Sequence, residues 1–102
     1  SYDRAALAKL YGQLDASVLL STAERGKPHE QGVAFHALGR AGDRAAVPAL
    51  ARGLRHPIPL VRGYAKRALE RMYGAPAPVD IDADAETIDA QATTWLSKPV
   101  SH

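Results

Sequence analysis

The side chains able to do chemistry are few in this sequence. His29 and Glu30 are adjacent, His36 follows seven residues after His29 and so near the same helical face, and His56 stands alone between Arg55 and Pro57. Imidazole and carboxylate are suitable ligands for iron or zinc, but a two-histidine site needs a third or fourth ligand, and none is placed nearby. No Ser, His and acid set is arranged for nucleophilic catalysis, and no glycine-rich phosphate loop follows a strand. The chain has no cysteine, which excludes disulfides, thiolate metal sites and cysteine nucleophiles and leaves the redox compartment open. The residues point to a protein without catalytic residues, metal or cofactor. Glu30 is expected to act structurally, favouring the positive end of a helix dipole, with His36 at a helix flank and His56 in a turn.

Charge is the more informative chemistry. The net charge is only +2, but from Arg40 to Tyr73 there are eight basic residues, Arg40, Arg44, Arg52, Arg55, Arg62, Lys66, Arg67 and Arg71, against the acidic Asp43 and Glu70. From Val79 to Ala90 the balance reverses, with Asp80, Asp82, Asp84, Glu86 and Asp89 and no basic residue. Such asymmetry predicts a basic ridge that attracts anionic groups, or one that pairs in part with the acidic segment of the same chain. Nucleic acid is disfavoured as a partner by the small net charge and by the scarcity of interleaved aromatics, Tyr64 and Tyr73 alone.

The elements that must position these charges follow from an internal repeat. Ala6-Leu7, Ala37-Leu38 and Ala68-Leu69 recur 31 residues apart, and the same offset matches Leu19 with Leu50, Gly32 with Gly63, and Ala34 with Ala65. The hydrophobic pattern repeats too, with Ala16, Leu19, Leu20 and Ala23 corresponding to Val47, Leu50, Ala51 and Leu54. Apolar spacings of three and four within each interval predict helices, near Tyr2 to Tyr11, Asp15 to Arg25, Pro28 to Arg40, Asp43 to Arg55 and Pro59 to Tyr73. Asp15 and Asp43 read as N-caps, Pro57 and Pro59 as a break and a helix start, and Gly74 as a stop. Short links between amphipathic helices force antiparallel neighbours. After Gly74, Ala75-Pro76-Ala77-Pro78 and the acidic stretch to Asp82 predict an extended linker over 75–82. A last helix over Ala83 to Leu96 carries Ala85, Ile88, Ala92, Trp95 and Leu96 on one side, with Trp95 as a plug and Ser97 to His102 as a loose tail.

These residues resemble the short HEAT repeats of the PBS-lyase HEAT-like type. The family pattern appears as Ala37-Leu38-Gly39, Gly42-Asp43, Val47-Pro48-Ala49-Leu50, Pro57 and Val61-Arg62, then Ala65, Ala68 and Leu69; it covers Val33 to Leu69 well and the first interval loosely. The resemblance implies an all-α fold, an α-solenoid of about three antiparallel helical hairpins over residues 1–74 closed by a C-terminal capping helix in 83–102, and a surface that binds proteins. His56 stands where the family carries an aspartate, so the usual bridge from that position to Arg62 is replaced and Arg62 is expected to pack structurally. One subgroup, similar to deoxyhypusine hydroxylase, binds two irons through His-Glu pairs before Leu-Gly; here those places hold Gly32-Val33 and Gly63-Tyr64, not His29-Glu30.

The resulting expectation is a non-catalytic interaction or scaffold module that binds an acidic protein partner, or another domain of a parent chain, through Arg44, Arg52 and Arg55. The alternative is a structural or docking domain of a larger protein, exported bacterial proteins included, with a lyase-like or His-Glu metal enzyme fragment third. The opening Ser1-Tyr2-Asp3 has neither an initiator methionine nor the order of a signal peptide, so the chain reads as trimmed, and no apolar run approaches a membrane span. No compartment follows.

Overall fold

The computed structural model describes residues 15–97. Those residues form an all-helical fold without a strand: α1 Ala16–Arg25, α2 Pro28–Ala41, a 3-10 turn Arg44–Ala46, α3 Val47–Gly53, α4 Pro59–Tyr73 and α5 Ala85–Leu96. The helix expected near Tyr2 to Tyr11, the turn at Gly12 and most of the tail lie outside the described residues. Among the described residues no helix is long and apolar enough to cross a membrane.

Local chemistry sets the boundaries. Asp15 accepts from the Val18 amide at 3.0 Å and Asp84 from that of Thr87 at 2.7 Å, capping α1 and α5. Pro28 and Pro59 occupy first turns, where the missing N–H would have no intrahelical partner. Gly42 and Gly74 end α2 and α4 in the left-handed conformation, with φ of 69° and 67°. The segment expected as one helix from Asp43 to Arg55 is shorter and begins differently. Pro48 cannot donate to the Arg44 carbonyl; the Val47 amide does so instead, closing a 3-10 turn before α3 starts. At the other end Leu54, Arg55 and His56 donate to the carbonyls of Ala51, Arg52 and Gly53, the tight i to i+3 pattern of a terminating turn.

The core takes most of its residues from the expected stripes, although Ala16 is exposed and Leu20, Val47 and Ala51 are only partly buried. Leu19, Ala23, Leu50 and Leu54 are buried from α1 to the end of α3, and Val61, Ala65, Ala68 and Leu69 from α4, around Phe35 and Leu38 of α2. The helix α2 packs on both α1 and α4, α3 packs on α4, and α1 touches α3, so helices related by the repeat lie side by side. Small residues allow the close approach. A Cβ on Gly53 would stand 2.6 Å from the Phe35 ring.

The segment after Gly74 is fastened to the core. Ala77 and Val79 are buried, the Ala77 amide donates to Glu70 Oε2 at 2.8 Å, and the Asp80 amide donates to Gln91 Oε1 at 2.8 Å. On α5, Ile88 and Ala92 are buried while Ala85 is exposed, and Trp95 is half-buried against Tyr73 with ring centroids 4.9 Å apart.

Candidate functional site

Most carboxylates of the described chain are occupied by backbone amides. Asp15, Asp43 and Asp84 cap helices or turns, Glu30 accepts from the Lys27 amide at 2.8 Å, Glu70 holds Ala77, and Asp80 accepts from the Asp82 amide at 3.0 Å. Hydrogen bonds from Ser17 and then the Val18 amide hold the Asp15 carboxyl below its ordinary range; bonds from Thr87 do the same for Asp84. Only Glu24 and Asp89 form ion pairs with arginine among the described residues. Among the described residues the basic ridge is therefore weakly neutralised.

The three arginines singled out by the sequence separate into two places. Arg52 and Arg55 flank a groove of about 380 Å³ between α3 and α5. Arg52 pairs with Glu24 of α1, and Arg55 Nε lies 3.1 Å from Asp89 Oδ1 of α5. Both pairs are solvated, with side-chain exposures of 55% and 43% in the first and 45% and 54% in the second, which makes them weak and exchangeable. Arg44 lines no part of that groove; its guanidinium sits 6.0 Å from the centroid of Tyr73, a cation–π contact at the start of the 3-10 turn.

A second basic cleft, about 310 Å³, opens between α2 and α4 and is lined by His36, Tyr64, Arg67, Ala68 and Arg71. Arg67 lies over the Tyr64 ring at 5.1 Å, and Tyr64 in turn covers Gly32, where a Cβ would meet its ring at 2.7 Å. Partial burial, and then the charges of Arg40, Arg71 and Arg67, press the His36 pKa below 6.5. Arg40, Arg67 and Arg71 have no ion pair with a carboxylate among the described residues. The sequence reading of Arg44, Arg52 and Arg55 as the partner face misses this cleft, though a signal is present. Arg67 and Arg71 stand 31 residues after His36 and Arg40, so the repeat itself brings the four onto neighbouring helices.

His56 and Arg62 act on the backbone. His56 Nδ1 accepts from the Ile58 amide at 3.0 Å, the bond an aspartate would make in that turn. Arg62 donates from Nε to the Ile81 carbonyl at 2.7 Å and from one terminal nitrogen to the carbonyls of His56 and Pro57 at 2.8 and 3.2 Å, a packed structural arginine. His29 is exposed on the first turn of α2 beside Glu30, whose carboxylate is turned to the helix start. Among the described residues no group of three or more His, Cys, Asp and Glu could hold a metal ion. No family model, curated protein or solved structure matches the chain.

Proposed function

We propose that the chain is a HEAT-like solenoid segment that acts by binding, without chemistry of its own, and that it takes an acidic protein partner on the basic face of α3. The observation that carries this reading is the division of charge: carboxylates are engaged at helix caps and turns, while Arg52 and Arg55 remain exposed beside a groove and Arg44 is exposed apart from it, over Tyr73. Glu24 and Asp89 occupy Arg52 and Arg55 in the absence of a partner. Because each pair is solvated and contributes about 0–1 kcal/mol, carboxylates of a partner can replace them at little cost. The side-by-side packing of repeat-related helices supports the solenoid reading, in which the rows of Ala, Leu and Val hold curvature and the surface carries specificity.

The test is affinity capture from lysate with the purified chain. An acidic protein recovered by the wild type is expected to be lost with Arg52→Glu, Arg55→Glu and recovered in greater yield with Glu24→Gln, Asp89→Asn, which removes the internal competitors. Equal recovery by all three would overturn the assignment.

A second reading, a docking domain of a longer chain, is favoured by one observation. Ile58 and Leu60 are 38% and 55% exposed at the start of α4, next to Pro57 and Pro59, and form a small apolar edge suited to another domain.

A further inference from the structure

The cleft between α2 and α4 differs from the α3 face in a way that bears on its ligand. Beside the α3 groove Arg52 and Arg55 each have a carboxylate; in the cleft, Arg67 and Arg71 face His36, Arg40 is near enough to His36 for its charge to act on the ring, and none of these three guanidinium groups has a carboxylate partner among the described residues. Like charges gathered on neighbouring helices repel one another, and an anion bound among them removes that repulsion. We propose that this cleft is a binding site for a doubly charged tetrahedral oxyanion, phosphate or a phosphate monoester, held by Arg67 and Arg71 of α4 and by His36 of α2, with the charge of Arg40 adding to the field at the cleft.

The ligand class follows from charge and geometry. Guanidinium groups present planar forks that pair with carboxylate or phosphate oxygens two at a time. A carboxylate brings one charge and two oxygens and satisfies one fork. A phosphate monoester brings a charge of about −1.5 to −2 near neutral pH and three acceptor oxygens, enough to engage both forks of α4 and the His36 ring of α2 at once. The volume, about 310 Å³, is at the small end of ligand clefts, about 300–1,000 Å³, and suits a compact anion rather than an extended chain. Two features hold the walls in place. The Tyr64 ring is fixed between Gly32 of α2 and the Arg67 guanidinium, and Ala68 lies against Gly39, so the helices bearing the cations have a set separation.

His36 adds a pH dependence to the site. The groups that face it are Arg40 on its own helix and Tyr64, Arg67 and Arg71 on α4, and the three arginines together with partial burial favour its neutral form. An anion reverses that balance, since its charge favours the imidazolium. By linkage, whatever the anion does to His36 protonation, protonation does to anion affinity. Affinity for a dianion therefore rises as His36 becomes protonated below neutral pH. The site is separate from the α3 groove, and substitutions at Arg52 and Arg55 leave it unchanged.

The experiment is an NMR titration of the chain, 15N-labelled and with its histidine ring signals assigned. Inorganic phosphate, phenyl phosphate and acetate are added at matched ionic strength, and sulfate, a dianion throughout the pH range used, is added at pH 5.5 and 7.5. The expected result is saturable movement of the Ala68 amide and His36 ring signals with both phosphates and none with acetate, weakened at least about tenfold in Arg67→Gln, Arg71→Gln and weakened also in Arg71→Gln alone, which leaves the Arg67–Tyr64 contact intact. Sulfate should bind more tightly at pH 5.5 than at 7.5, and saturating sulfate should raise the midpoint of the His36 titration; His36→Gln should remove the pH difference. Tighter binding of phenyl phosphate than of phosphate assigns the site to an esterified group, and equal binding to the free ion. Acetate binding as well as phosphate, or a His36 midpoint unmoved by sulfate, would overturn the proposal.

Discussion

A methyl group on Gly39 would stand 2.8 Å from the α-carbon of Ala68, so these two residues set how closely α2 and α4 can approach. The obstruction is backbone, which cannot turn aside as a side chain can. Gly39→Ala gains about 1 kcal/mol in helix propensity but forces the helices apart. The expected net outcome is destabilisation of about 1–3 kcal/mol in urea unfolding, typical of an overpacked core. An unchanged midpoint would show that α2 and α4 have slack.

Gln31 is the one buried polar side chain among the described residues, and its Nε2 donates to the Ala23 carbonyl at 3.0 Å. That carbonyl belongs to the last turn of α1, where no helical amide is available to it. Gln31→Leu keeps the volume and removes the donor, leaving the carbonyl unpaired against the core. A loss of about 1–3 kcal/mol is expected in chemical denaturation. A neutral result would mean that water reaches Ala23.

Arg62 ties three carbonyls from two segments, Ile81 on one side and His56 and Pro57 on the other. Lysine retains the charge but has a single nitrogen and cannot reproduce the fork. Arg62→Lys is expected to cost about 1–3 kcal/mol and to expose the stretch from Ala75 to Ala83 to limited proteolysis. Wild-type resistance to protease in the lysine variant would assign the fastening of that stretch to Glu70 and Gln91 instead.

How much of this could be read beforehand depended on range along the chain. The caps at Asp15 and Asp43, the stop at Gly74 and the buried stripe of α4 are local, and residue type alone placed them. The start of α3 was also local but required weighing Pro48 against Asp43. The proline's missing amide decided it, turning the first residues into a 3-10 turn. The Arg52–Glu24 and Arg55–Asp89 pairs join residues 28 and 34 apart, and no local pattern signals them. The prolines of 75–82 predict an extended linker; Ala77 and Val79 are buried because Glu70, Arg62 and Gln91 reach across to it, which composition does not encode. The cleft of His36, Arg67 and Arg71 is hidden less by range than by the face it lies on, since these residues and Arg40 obey the same repeat that reveals the helices.

Stability is expected to fall as the medium is acidified through the histidine range. His56 accepts the Ile58 amide at Nδ1, which only the neutral ring can do, and burial followed by the Arg62 charge lowers its pKa below 6.5; burial and the arginines around it lower that of His36. With folded pKa values below the unfolded one, the unfolded chain binds more protons near and below pH 6.5, so stability rises with pH there. The contribution is complete above about pH 7, declines as pH falls through 6.5, and levels off once the folded histidines are themselves protonated. His56→Asn can still accept the Ile58 amide without titrating, and His36→Gln removes the other group. Urea unfolding at intervals from pH 7.5 to 5.5 should show a falling midpoint for the wild type and a flatter dependence for the double variant. The carboxylates of Asp15 and Asp84, with pKa values below 3.8, do not contribute in that window. An equal slope in wild type and double variant would place the acid sensitivity elsewhere and remove the physical basis for a neutral His56 in the turn.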